Sequence, residues 1–139
     1  MSAQARVLVV DDDEIVRRSY QRSLATVRCD VEAVGNGEDA LRAIEEHPYD
    51  VLLLDLRMPG MDGLSVLKAV KKVAPDSEVI VITGYPTVES AKEAVQLGAT
   101  DYLSKPVGPA EVISATNAAM AHKLWALRKH PIDNATCNN

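Results

Sequence analysis

Three polar residue types in this chain fall where apolar runs end. Asp11, Asp12 and Asp13 close RVLVV, Asp55 closes VLLL, Thr83 closes VIVI, and Lys105 with Pro106 follows YLS. Two carboxylates about 4 Å apart repel by about 4 kcal/mol at an effective dielectric near 20. Placing Asp11 or Asp12 beside Asp55 therefore raises a carboxyl pKa unless a cation intervenes. Oxygen ligands few in number and open to water suit Mg²⁺, with Mn²⁺ as the alternative ion, because Mg²⁺ keeps several waters and takes one or two carboxylates plus a phosphate. Lys105 supplies a point charge for a phosphoryl oxygen, and Thr83 supplies a hydroxyl donor. The set reads as a phosphoryl-handling site built on an aspartate nucleophile.

These residues can act together only if the chain folds their ends to one edge. Apolar runs of strand length alternate with segments of helical period: Arg6–Val10, then Glu14–Ala25 with Ile15, Val16, Tyr20 and Leu24 spaced as one stripe. Asp30–Val34 is a short second strand, and Asn36 caps a helix whose stripe is Ala40, Leu41 and Ile44. Val51–Asp55, Glu78–Thr83 and Asp101–Ser104 are the remaining strands. Leu64–Val73 and Thr87–Leu97 are helices, closed by Pro75 and Gly98. A last helix runs from about Pro109 toward Arg128, and 129–139 reads as a polar tail or linker remnant. The alternation predicts a doubly wound α/β fold, with a parallel sheet covered on both faces. Such strands are solidly apolar, and ligands bind outside their carboxyl ends. Asp55 then belongs to a site and not to the core.

Composition narrows the rest. The chain has 139 residues, 47% of them hydrophobic and 25% charged, which is the profile of one soluble globular domain. A net charge of −5 with scattered Lys and Arg argues against a nucleic-acid face, because phosphate contacts need clustered cations. Cys29 and Cys137 form no C-x-x-C pair, and with no signal peptide the expectation is a cytoplasmic protein with incidental thiols. No apolar run has the length of a membrane span. His47, His122 and His130 lack metal-ligand spacing. Asp13 and Glu14 also fit a helix N-terminus, where negative charge is favoured.

The span from about Arg6 to Met120 resembles the receiver domain of two-component response regulators. The resemblance is carried by VVDDDE, LLLDLRMPGMDG, VITG and YLSKP, in that order. It implies a flavodoxin-like five-stranded sheet of order 2-1-3-4-5 with five helices, occupying residues 1–128. It further implies that Asp55 is phosphorylated, with metal held by Asp12, Asp55 and the Arg57 carbonyl, and with Asp11 assisting through water. Thr83 and Lys105 then hold phosphoryl oxygens, Gly63 is a turn glycine, and the bond before Pro106 is cis. Tyr102 matches an aromatic that turns inward when Thr83 moves toward the phosphate, and Arg57 and Tyr85 flank the site and tune phosphate lifetime. The implied partner is a sensor histidine kinase. The implied output face is the fourth helix, fifth strand and fifth helix, with a homodimer as one form of output. TGYPTVESAKEAVQLGATDYLSKP resembles receivers attached to enhancer-binding transcriptional activators, so the chain is either a free-standing regulator or a receiver from a longer protein.

Three other readings compete. DDDEI fits the start of haloacid-dehalogenase phosphatases, with Asp11 as nucleophile and Asp13 as acid, but it leaves Asp55 without a task. A flavodoxin would need a Ser/Thr-rich phosphate loop where VVDDDE stands. An adaptor with a dead site would not need Asp12, Asp55, Thr83 and Lys105 together.

Overall fold

Leu8, Val10, Leu52, Leu54, Val79 and Val81 pack into one buried cluster, while Val7, Val9, Val51, Leu53, Ile80 and Ile82 pack into another. This is the period of two that a strand imposes, applied to strands that are apolar at every position. The computed structural model describes the backbone of residues 4–137 and the side chains of 4–127. The strands are β1 (Ala5–Val10), β2 (Cys29–Val34), β3 (Val51–Leu54), β4 (Glu78–Thr83) and β5 (Asp101–Ser104). All are parallel, in the order β2-β1-β3-β4-β5. The order reverses beside β1, which places a crevice at the carboxyl ends of β1 and β3.

The helices are α1 (Glu14–Ala25), α2 (Gly37–Glu46), α3 (Gly63–Val73), α4 (Val88–Gln96) and α5 (Pro109–Cys137). Tyr20 and Leu24 of α1 join Val112, Ala115 and Ala119 of α5 on one face of the sheet. Ala40, Ile44, Val66, Leu67, Val70 and Ala94 carry α2, α3 and α4 onto the other. These three helices begin at their capping residues: Asn36 accepts from the Asp39 amide, Asp62 from Ser65 and Thr87 from Ser90. After α4, Gly98 takes φ +100°, a conformation that glycine adopts without penalty.

Two expectations are corrected. Helical period puts Ile15 in the buried stripe of α1, but it is 79% exposed, because Asp13 caps the helix through the Ile15 amide and the first turn faces outward there. The sequence places the end of the last helix near Arg128, yet α5 continues to Cys137 through Pro131. The polar composition of 129–139 offers no apolar stripe, but a helix extending from a docked segment already has its nucleus and grows by one hydrogen bond per residue. Among the described residues no helix is long and apolar enough to cross a membrane.

Candidate phosphoryl site

Asp11, Asp12 and Asp55 each present a carboxylate oxygen within 4.8 Å of the others. The backbone arranges this: the Asp55 amide donates to the Val10 carbonyl at 2.9 Å, and the Asp11 amide to the Val34 carbonyl at 3.2 Å. The ladder therefore holds both acids one step past their strands. Asp11 and Asp55 are buried, and Asp12 is exposed. Such a set of oxygens fits a hard divalent cation.

Lys105 arrives from beyond β5. Its amide donates to the Thr83 carbonyl at 2.8 Å, and the Lys105–Pro106 bond is cis. Its Nζ lies 2.8 Å from Asp11 Oδ2 and 3.5 Å from Asp55 Oδ2. Burial works to lower this ammonium, but the hydrogen bond to Asp11 and the charges of Asp11 and Asp55 outweigh it and raise its pKa. Burial likewise pushes the Asp55 carboxyl above its ordinary 3.8; the Arg57 amide pulls the other way, and the Asp11 charge adds to the rise. One lysine thus compensates the pair only in part. Tyr20, buried beneath the cluster, is pushed up to about 12, chiefly by burial.

Thr83 is buried, and its Oγ1 accepts from the Tyr85 amide at 3.1 Å, which leaves its own proton free to donate. The loop after β3 is shaped by the carboxylate itself, since Asp55 Oδ1 accepts from the Arg57 amide at 3.2 Å. Gly63 opens α3 hard against that loop. A Cβ there would stand 2.5 Å from the Asp55 carbonyl oxygen and collide with the Leu56 Cα. Glycine is required at this position for close approach.

The chain positions 7–117 match the family model of the response regulator receiver domain. The chain belongs to the receiver domain family. It is 40% identical over 116 residues to the DNA-binding transcriptional regulator NtrC of Escherichia coli (strain K12), covering 84% of this chain and 25% of that protein. It is 36% identical over 132 residues to the regulatory protein LuxO of Vibrio cholerae, covering 94% of this chain and 28% of that protein. A CheY-like receiver domain protein from Methanospirillum hungatei superposes with a TM-score of 0.85 at 27% identity, covering 87% of this chain and 97% of that one. The chain spans about a quarter of the length of the curated relatives. As a receiver domain it serves phosphorelay signalling, and receiver domains generally bind Mg²⁺ at an acidic pocket of this kind.

This assignment displaces the phosphatase alternative. Asp13, its proposed acid, is exposed and spends its carboxylate on the Ile15 amide at 2.9 Å. Asp55, which that reading left idle, sits within the cluster.

Other contacts around the site are legible only in three dimensions. Arg17 Nη1 donates to the Asp11 carbonyl at 2.7 Å. The Arg57 guanidinium lies 4.2 Å from the centre of the Tyr85 ring, within cation–π range. This stack links the loop after β3 to the loop after β4, beside a groove lined by Leu56, Lys68, Thr83 and Glu93. Tyr102 is half-buried on β5, and its hydroxyl meets α4 at Ser90 Oγ, 2.5 Å away. A partner 12 residues distant on another element leaves no local signal in sequence.

Proposed function

We propose that Asp55 is the phosphoacceptor and that this receiver takes its phosphoryl group from a phosphohistidine on a sensor kinase. The observation that carries the reading is the Asp11–Asp12–Asp55 cluster with Lys105 inserted into it. An Asp55 carboxylate oxygen attacks phosphorus in line, the P–N bond to histidine breaks, and the imidazole leaves with the bonding pair. Asp12, Asp55 and the Arg57 carbonyl are the metal ligands, with Asp11 acting through water. Mg²⁺, or Mn²⁺ in its place, neutralises charge on the phosphoryl oxygens when bound. The Lys105 ammonium meets one phosphoryl oxygen and the Thr83 hydroxyl another, so electrostatic positioning supplies most of the rate.

Thr83 and Tyr102 form the switch, and the face of α4, β5 and α5 carries the output, with homodimerisation as its form. Exposed Val88 and Val95 on α4 support that placement. Arg57 and Tyr85 tune phosphate lifetime by controlling access of water between their loops. The similarity to NtrC and LuxO supports a role as the receiver of a longer transcriptional regulator. Intact-protein mass spectrometry after incubation with acetyl phosphate and Mg²⁺ tests the reading. One added phosphoryl group, absent in Asp55→Asn and absent with chelator, is the expected result. An adduct that survives in Asp55→Asn and vanishes in Asp11→Asn would overturn it.

A further inference from the structure

Ser90 sits in two hydrogen-bonded systems at once. It is the third residue of α4, and it closes a capping box with Thr87: the Ser90 amide donates to Thr87 Oγ1 at 3.0 Å, and the Thr87 amide reaches back to Ser90 Oγ at 3.4 Å. Its hydroxyl is also 2.9 Å from Thr87 Oγ1 and 3.2 Å from the Thr87 carbonyl. The Tyr102 hydroxyl joins the same atoms, 2.5 Å from Ser90 Oγ and 3.4 Å from the Thr87 amide.

The donor count makes these contacts interdependent. A serine hydroxyl has one proton and two lone pairs. The arrangement is satisfied when the Tyr102 phenol donates to Ser90 Oγ, Ser90 donates to Thr87, and the Thr87 amide is shared between Ser90 Oγ and the phenol oxygen. Without the phenol, Ser90 Oγ loses the nearer of its two donors and the Thr87 amide loses one of its two acceptors. The capping box of Thr87 and Ser90 is thus reinforced only while Tyr102 stays where this structure has it.

We propose that Ser90 is the positioning residue through which Tyr102 sets the N-terminus of α4: its hydroxyl bonds the phenol to the helix cap, so that departure of the phenol loosens the first turn. This rests on Thr83 and Tyr102 being the switch. It adds the chemical link by which a tyrosine on β5 reaches the helix beside it. Burial adds little to the rigidity of α4, since Ala94 is its one buried residue.

The test is a double-mutant cycle of Ser90→Ala and Tyr102→Phe, run with and without Mg²⁺ plus beryllium trifluoride. The readout is hydrogen exchange at two successive backbone amides, that of position 90 in each variant and that of Ala91. Without the mimic, each single variant should speed exchange by about threefold to tenfold, the size of a lost cap contact. The double variant should exchange no faster than the faster single, and Ser90→Thr, which restores a hydroxyl, should return to wild-type exchange. With the mimic, the wild type should speed up at these amides while Ser90→Ala changes little, its first turn being loose already. Additive single effects, or a full mimic response retained in Ser90→Ala, would overturn the proposal. Absence of any mimic-induced change at Asp55 and Lys105 would instead overturn the phosphoacceptor reading, and the cycle without mimic would still decide the coupling.

Discussion

The Lys105 ammonium lies 2.8 Å from Asp11 across 94 residues of chain. Among the described residues it is the one cation inserted between the buried acids of the site. Lys105→Met keeps the length of the side chain and removes the charge. Asp11 and Asp55 then repel without that screen, so Mg²⁺ titrated by calorimetry should bind more tightly than in the wild type. Phosphorylation by acetyl phosphate should slow by about a hundredfold, the cost of removing one preorganised charge from a transferring group. Tighter metal binding combined with an unchanged rate would mean that Lys105 only balances charge.

Asp55 supplies a pH signature. Its pKa is raised in the folded protein, chiefly by burial, so between the ordinary 3.8 and the raised value the folded state binds more protons than the unfolded chain. Stability from this group is therefore lost as pH rises through that window. Asp55→Asn has no charge to bury. Without Mg²⁺ at pH 7 it should show a higher urea midpoint than the wild type, and the gap should close on acidification and disappear below 3.8. A gap that widens toward acid pH would contradict the direction of the shift. Saturating Mg²⁺ should narrow the gap at pH 7, because a bound cation stabilises the ionised carboxylate.

Gly63→Ala probes the closest backbone approach at the site. The added methyl collides with the Leu56 Cα and the Asp55 carbonyl, both of which are backbone and cannot rotate away. Overpacking of this kind costs about 1–3 kcal/mol. Urea denaturation should show that loss, and amide NMR shifts should place the disturbance at Asp55 and Arg57. An unchanged midpoint would show that α3 can shift along the sheet to make room.

Much of this molecule is written in its apolar runs. VLVV, VLLL and VIVI are apolar at successive positions because α1 and α5 cover one face of the sheet while α2, α3 and α4 cover the other, and their ends deliver Asp11, Asp55 and Thr83 to one edge. Cap residues such as Asn36 and Thr87 declare helix starts because their signal is local. Ile15 misleads because helical period cannot say where the first turn points. The end of α5 misleads because a helix that continues from a docked segment needs no new nucleus, so its end carries no apolar signal. The Arg57–Tyr85 stack joins two loops, and the Ser90–Tyr102 bond joins a helix to a strand. Both contacts arise from how separate segments meet, which no periodicity encodes.

The last prediction concerns a buried hydroxyl on α5. Thr116 is fully buried on α5, between Val112 and Ala119 on the face against the sheet. Its Oγ1 has no hydrogen-bond partner. A hydroxyl removed from water without replacement costs about 1–3 kcal/mol. Thr116→Val keeps the β-branched shape and its helical rotamer and deletes the unmatched oxygen. It should raise stability by about 1 kcal/mol, read as a higher urea midpoint at unchanged slope. A threonine inside a helix can also turn its hydroxyl to the carbonyl four residues back. If Thr116 spends its time bonded in that way, the valine variant will be neutral or weaker, and the sign of the change distinguishes the two.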